Sequence, residues 1–312
     1  KIPILNSNVP CTEDRYSYYS ESNFSKKFKH IVSTSLIQPS YFYTQNYLYS
    51  NPVFNPNNPY EIAYVRRNPH DFPATFEVLK FSFCDGKRTK IADNYYYNLD
   101  WGHNDWLIYT GIDHHIYKIR DNGDSLTVLT SQSGFNRAGK WNLSGSMFWN
   151  SRDDGMYIHN ADGSIVKVIS TLPFGPRNWI NDTLLFGWRN NYFYSLGLYN
   201  EVLNQLNSNT CPGNAVLDRV NMNAYVFKFN GAGNNHYYLK YSLTSNSVDT
   251  FCVLYDSYLF AEGCYNPAAG KIITRLTQQD WKDSEQNEIY LQSNILITGV
   301  NNIEHRIIKL NY

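Results

Sequence analysis

Long apolar runs and an excess of charge of either sign are both missing from this 312-residue sequence. Lysine plus arginine number 27, as do aspartate plus glutamate, and charged residues make up only 17% of the chain. Balanced charge produces no overall field that would attract nucleic acid, so we expect no nucleic-acid partner. No apolar run approaches the roughly 18 residues that a membrane-spanning helix needs, so we expect no transmembrane segment.

Motifs of common catalytic and metal sites are missing as well. The sequence has no Gly-x-Ser-x-Gly elbow, Walker loop or His-Glu-x-x-His pattern, and its five cysteines contain no Cys-x-x-Cys pair. His114 and His115 are adjacent, and neighbouring strand residues point to opposite faces, so the pair does not suit one ion. We therefore predict no catalytic residue, no metal site and no cofactor.

The odd number of cysteines excludes complete internal pairing. Cys252 and Cys264 are the favoured disulfide if the compartment is oxidising. Buried free thiols are the equally acceptable alternative.

Aromatic residues are abundant, at 16% of the chain with 27 tyrosines, and this composition favours strands over helices. Six segments repeat one plan, in which an aromatic or apolar anchor precedes a short turn rich in Asn, Gly, Asp or Pro and then a β-forming run. The anchors are Phe54, Trp101, Trp141, Trp179, Leu217 and Tyr265. Their spacings are 47, 40, 38, 38 and 48 residues, an approximate period that indicates a repeat protein.

A second pair of extended runs follows within each period. The clearest examples surround Asn122-Gly123 and Asp162-Gly163, dipeptides that strongly favour a β-hairpin. Four short strands in about 40 residues is the size of one β-propeller blade. We predict an all-β propeller of six four-stranded blades, with seven as the alternative count.

The repeat resembles that of TolB-type propellers, in which an aromatic precedes Ser-Pro-Asp-Gly and a later Asp-Gly precedes the outermost strand. The best matches begin at Tyr265 and Phe54, while Asn160 to Gly163 supplies the second half of the pattern. The segments at Trp179 and Leu217 match poorly and depend on spacing. The resemblance covers residues 53 to 312 and implies a six-bladed propeller that binds a partner in the bacterial envelope.

Gly102-His103-Asn104-Asp105 has the composition of a small catalytic or metal site, but it occupies the turn position of the repeat. Polar residues are expected there from turn chemistry alone. We therefore interpret these four residues as a turn.

In a propeller, the loops before the inner strands meet at one mouth of the central channel, the face that commonly carries a ligand. Here these loops contain tyrosines and arginines, which dominate many protein interfaces. Packing between blades is the alternative role for such aromatics. The predicted binding residues are Tyr96, Tyr97, Phe135, Arg137, Lys140, Arg177 and Asn178.

The predicted function is that of a non-catalytic, protein-binding scaffold in the periplasm or extracellular space of a bacterium. The location is implied by the resemblance and by a first residue, Lys1, that is not methionine, which fits removal of a leader. The alternative is a carbohydrate-active enzyme, a lyase or hydrolase, or a glycan-binding protein that uses the same mouth. An enzyme would need clustered acids, bases or a metal there, whereas a scaffold needs an aromatic and polar rim.

We assign residues 1–312 to one propeller domain, with repeats over 53–312 and an N-terminal segment over 1–52. Within that segment, Phe28 to Ile37 is the predicted strand that closes the ring beside the last blade. If this strand and the run Glu304 to Tyr312 formed a blade of their own, the ring would have seven.

Overall fold

The computed structural model describes residues 48–68, 75–130, 134–169, 174–211, 215–229, 235–255, 257–268, 270–282, 288–299 and 305–308. These residues form 24 strands in six four-stranded antiparallel sheets, each built from consecutive strands. We call the sheets blades one to six in chain order. The all-β propeller predicted from the repeats is confirmed. No helix in the described ranges could span a membrane.

The strands of the first three blades are β1 (Leu48–Phe54), β2 (Glu61–Asn68), β3 (Thr75–Ser82), β4 (Arg88–Asp93), β5 (Tyr95–Trp101), β6 (Trp106–Gly111), β7 (Ile116–Arg120), β8 (Thr127–Val128), β9 (Arg137–Trp141), β10 (Met147–Arg152), β11 (Gly155–Asn160) and β12 (Ile165–Ile169). Those of the last three are β13 (Gly175–Asn181), β14 (Leu184–Arg189), β15 (Tyr192–Gly197), β16 (Leu203–Gln205), β17 (Ala215–Asp218), β18 (Asn223–Phe229), β19 (Asn235–Ser242), β20 (Val248–Tyr255), β21 (Ser257–Asn266), β22 (Lys271–Lys282), β23 (Glu288–Gly299) and β24 (His305–Ile308).

All six anchors of the repeat lie on the first strand of a blade, or at its end. The two predicted hairpins also form, since Gly123 lies between β7 and β8 and Gly163 between β11 and β12. Both glycines have positive φ, +90° and +94°, a conformation that side-chain-bearing residues rarely adopt. The turn chemistry therefore fixes the outer hairpins.

The apolar core lies between blades rather than inside one. Val65 and Val78 of blade one pack in the same cluster as Leu107 of blade two, and all three are fully buried. Equivalent clusters join blades two and three, three and four, and four and five. Each blade buries its faces only against its neighbours, which is the physical basis of a repeat ring.

The first strand of each blade is innermost. β1, β5 and β9 contact one another in succession, β9 contacts β13, and β17 contacts β21. The ring closes where β1 packs against β21, β22 and β23, and Ile273 of blade six joins the core cluster of blade one.

The predicted closing strand, Phe28 to Ile37, lies outside the described residues. The proposed boundary after residue 52 falls inside β1, which begins at Leu48. At the other end of the chain, His305–Ile308 pairs with β23 as the outermost strand of blade six. This part of the C-terminal run therefore completes the sixth blade instead of contributing to a seventh.

The turns after the first strands are hydrogen-bonded from blade to blade. The Asn57 side-chain amide of blade one donates to Asp105 Oδ1 of blade two at 2.7 Å, and Asn104 donates to the Gly145 carbonyl of blade three at 2.6 Å. The Ser144 backbone N–H donates to Asp182 of blade four at 2.8 Å. In these three hydrogen bonds the donor belongs to the earlier blade.

The disulfide prediction was wrong for Cys264, which carries a free thiol. Cys264 lies on the inner strand β21, where its Sγ accepts the backbone N–H of Phe54 at 3.1 Å. Cys252 lies on β20, the outer strand of the preceding blade. The two cysteines are only 12 residues apart in sequence, yet one lies on an outermost strand and the other on an innermost strand. Among the described residues, Cys84 is disulfide-bonded.

Candidate binding site at the channel mouth

The channel has two ends, which we name from the chain segments around them. The loop-side mouth is the end at which the first strands begin, and the turn-side mouth is the end at which they finish. Six of the seven predicted binding residues lie on the first strands β5, β9 and β13, and only Phe135 lies in a loop. The strands thus start earlier than the sequence pattern suggested.

An aromatic and cationic group stands at the loop-side mouth. The rings of Tyr96 and Phe135 meet edge to face with centroids 5.6 Å apart. The Arg137 guanidinium lies 5.1 Å from the centroid of Phe135. Tyr96 exposes 43% of its surface and Arg137 is exposed, so the group presents a rim to solvent.

His114 completes this rim and was missed as a binding residue by the sequence analysis. It lies in the turn between β6 and β7 with φ of +65°, not on a strand, so the strand argument applied to His114 and His115 was wrong. Its ring centroid is 4.5 Å from that of Phe135 and 5.1 Å from that of Tyr96. The turns between second and third strands reach the loop-side mouth, and that topological rule could have identified it.

Two irregularities in β5 explain why the consecutive residues Tyr96 and Tyr97 are both exposed. The register between β5 and β6 shifts between Tyr95 and Tyr97 and again between Tyr97 and Leu99. Asn98 lies in this second shift with φ of +50°. Bulges of this kind turn side chains out of strict alternation. Tyr95 and Leu99 stay buried while both intervening tyrosines face outward.

Behind the rim is a recess of about 780 Å³, a volume that includes solvent space at its opening. Tyr97, Lys140, Arg177 and Asn178 line it, so four of the predicted residues meet here. The other three, Tyr96, Phe135 and Arg137, form the rim. None of the described residues that line this recess is a carboxylate, histidine or cysteine.

Lys140 is neutralised inside the wall of the channel. Its Nζ lies 3.1 Å from Asp100 Oδ1, while Asp100 Oδ2 accepts the backbone N–H of Trp141 at 2.9 Å. Burial would lower the pKa of Lys140, but the Asp100 carboxylate outweighs it and the pKa is raised. The Lys140 carbonyl accepts the Trp179 indole N–H at 2.8 Å, which joins blades three and four. This lysine is therefore also a structural link.

The turn-side mouth contains the four residues interpreted as a turn, and that interpretation is confirmed between β5 and β6. His103 Nδ1 lies 3.1 Å from Asn57 Oδ1, and Arg219 Nη2 lies 3.5 Å from His103 Nε2. Burial, with the positive Arg219, lowers the pKa of His103 against the opposing effect of Asp100 and Asp105. A neutral ring that donates from Nδ1 and accepts at Nε2 fits both contacts.

The thiol of Cys264 and the carboxylate of Asp100 are the two turn-side groups that we considered for catalysis. Burial raises the pKa of the Cys264 thiol to about 11, so it is not a thiolate at neutral pH. Both oxygens of Asp100 are engaged. Within the described ranges no group of three or more His, Cys, Asp or Glu side chains could hold a metal ion.

The fold is that of a TolB-like β-propeller. No protein-family model and no curated protein matches the sequence. In structure, the chain is similar to TolB from Agrobacterium tumefaciens, with a TM-score of 0.54 and 11% identity over 71% of this chain and 83% of that one.

Peptidases with propellers are similar as well. An acylaminoacyl peptidase from Pyrococcus horikoshii matches with a TM-score of 0.55 and 10% identity over 86% of this chain. A puromycin-hydrolysing peptidase from Mycobacterium tuberculosis matches with a TM-score of 0.50 and 11% identity over 83% of it. The matches cover 47% and 53% of those two chains, so this chain spans about half their length. At such identities the likeness is one of fold.

Proposed function

We propose that this protein is a non-catalytic scaffold that binds a protein partner through the loop-side mouth. The observation that carries the proposal is the rim formed by the exposed Tyr96 and Arg137 with the half-buried His114 and Phe135, at the mouth of a recess whose described lining has no acid or histidine. Aromatic and arginine side chains bring large contact area or several donors at low entropic cost. Histidine and the carboxylates, which are common general acids and bases, are missing from that described lining.

The rim is organised before any partner arrives. His114 is held by its backbone, because its carbonyl accepts the side-chain amide of the buried Asn136 at 3.0 Å. Asn136 is held in turn by the Asn150 side chain of β10, which donates to Asn136 Oδ1 at 2.9 Å. A preorganised surface loses little conformational freedom on binding.

The proposed location is the bacterial periplasm or the extracellular space. The Cys84 disulfide supports it, because disulfides persist in oxidising compartments. The TolB-like form of the propeller supports it by analogy of fold alone.

The proposal is tested by capture from a bacterial envelope extract with the purified chain as bait. Tyr96→Ala and Arg137→Ala remove exposed rim side chains, and each should reduce retention of the partner at least tenfold. Tyr199→Ala is the matched control, because Tyr199 is 69% exposed in the turn between β15 and β16. All three variants should melt within about 2 °C of the wild type, as expected for surface substitutions.

A partner that the wild type and Tyr199→Ala retain, and that both rim variants lose, supports the scaffold. Equal retention by all four proteins contradicts binding through the rim. The same proteins are applied to a glycan array. Rim-dependent glycan binding without a protein partner would favour the carbohydrate-active or glycan-binding alternative.

A further inference from the structure

In the wall of the loop-side recess, Arg177 is a cation that has no counter-ion among the described residues. Its guanidinium carbon lies 5.8 Å from the ring centroid of Trp188. Its Nη1 donates to the Pro176 carbonyl at 3.3 Å. Its Nε is buried and meets no acceptor in the described part of the chain. No ion pair among the described residues includes Arg177.

The other two cations of the channel are placed differently. Lys140 contacts Asp100 directly. Arg219 lies near His103 and in the field of Asp100 and Asp182. For Arg177, burial lowers the pKa of the guanidinium, and among the described residues the Tyr97 phenol opposes this. A phenol is uncharged at neutral pH. A half-buried charge without a partner is costly, so Arg177 is poised to gain from an incoming anion.

We propose that Arg177 binds a carboxylate that enters the loop-side recess. The proposal deepens the proposed function, on which it rests for the source of the carboxylate: an acidic side chain or the chain end of the protein partner. The guanidinium fork presents parallel N–H groups that match the two oxygens of a carboxylate.

The charge of the recess favours a monoanion. Of its two lining cations, Lys140 is already neutralised by Asp100, so Arg177 contributes the one uncompensated positive charge among the described lining residues. A phosphate or sulfate dianion would leave negative charge unbalanced there. The exposed Tyr97 and the half-buried Asn178 add donors beside Arg177. The apolar Trp149 and Pro176 reduce competition from water.

The first test needs no partner. The melting temperature of the full chain is followed during titration with sodium acetate, sodium phosphate and sodium sulfate, each against sodium chloride at equal ionic strength. Acetate should stabilise the wild type saturably, with about a tenfold shift of the unfolding equilibrium at ten times its Kd. Arg177→Gln should abolish this effect. Arg219→Gln, the matched arginine of the opposite mouth, should keep it.

The second test supplies the carboxylate within the chain. Tyr97→Glu places an acid beside Arg177, and it should be at least fivefold less harmful to the unfolding equilibrium in the wild type than in Arg177→Gln. This double-mutant comparison isolates the interaction between the two side chains. If Arg177→Gln fails to fold, Arg177→Lys replaces it, and acetate binding to the wild type and to Arg219→Gln is still measured.

The inference is overturned if acetate does no more than chloride, if phosphate or sulfate stabilises more than acetate, or if Tyr97→Glu has the same effect in both backgrounds. Its failure is separable from that of the proposed function. Rim-dependent capture of a partner without an acetate effect rejects the carboxylate alone. An Arg177-dependent acetate effect without any captured protein rejects the scaffold alone.

Discussion

Asp100→Asn is the substitution that should most sharply reveal how blades two and three are joined. The carboxylate contacts Lys140 Nζ at 3.1 Å through one oxygen and the Trp141 N–H at 2.9 Å through the other. Asparagine has the same shape but no charge and only one acceptor oxygen. Either the lysine or the backbone N–H therefore loses its acceptor.

The expected cost follows from the burial of the pair. Asp100 and Lys140 side chains expose only 13% and 20% of their surfaces. At 3.1 Å and an effective dielectric constant of about 20, the attraction is roughly 5 kcal/mol before desolvation is counted. Removing one member of a buried pair strands the other, and we expect a loss of about 3 kcal/mol in the free energy of unfolding. For a chain of 312 residues the melting temperature should fall by about 5 °C.

The assay is urea unfolding at pH 7 and again above pH 10.5, the usual lysine pKa. In the wild type the pKa of Lys140 is raised, so its stabilising contribution is present below the usual value and is lost as the pH rises through the raised one. In Asp100→Asn the isolated, buried lysine has a lowered pKa instead and is destabilising while protonated. The stability gap between the two proteins should therefore shrink at high pH.

The matched control is Lys167→Met, which breaks the pair of Lys167 with Glu201 at 2.8 Å. Glu201 exposes 47% of its side chain, so this pair should contribute about 0.5 kcal/mol. Equal losses for Asp100→Asn and Lys167→Met would refute the claim that burial makes the channel pair important. A gap that widens above pH 10.5 would refute the role given to Lys140.

Two further predictions concern the hairpins and the buried histidine. Gly163→Ala should cost about 3 kcal/mol and Gly123→Ala about 1 kcal/mol in chemical denaturation, because both have positive φ but a Cβ at Gly163 would lie 2.3 Å from the Leu129 carbonyl oxygen, against 3.4 Å for the nearest atom at Gly123. Burial lowers the pKa of His159, so its stabilising contribution is present above pH 6.5 and should be lost as the pH falls further. Melting curves at pH 7.5 and pH 5 should show a smaller acid-induced loss for His159→Gln than for the wild type, and an equal loss would contradict this assignment.

Most of the fold was predictable because each repeat is marked by residues that determine its local structure. The anchors and turns recur at a period that only a stack of similar blades explains, and the Asn-Gly and Asp-Gly hairpins fold as their dipeptides dictate. Trp179 and Leu217 match the TolB pattern poorly, yet each lies on the first strand of a regular sheet. Both residues are buried in core clusters between blades. The spacing of apolar residues therefore matters more for these two blades than the identity of the turn residues.

The binding site was predictable only in outline. The general rule for propeller mouths selected segments that reach the loop-side mouth. The direction of each side chain there depends on bulges, and no sequence pattern marks the bulges beside Tyr97. His114 was missed because it was placed on a strand and considered only as a metal ligand. That Arg177 has no counter-ion among the described residues could not be predicted from the sequence, since it depends on which carboxylates the folded ring brings near.

Three turn-to-turn hydrogen bonds run in one direction around the ring, from blade one to blade four. Asn57, Asn104 and Ser144 each donate a hydrogen bond to an acceptor in the next blade. Blades that are joined in this way resemble subunits with head-to-tail contacts. Such subunits form a closed ring when the rotation between neighbours completes a circle. A further copy of such a blade would present an acceptor to the blade before it and a donor to the blade after it.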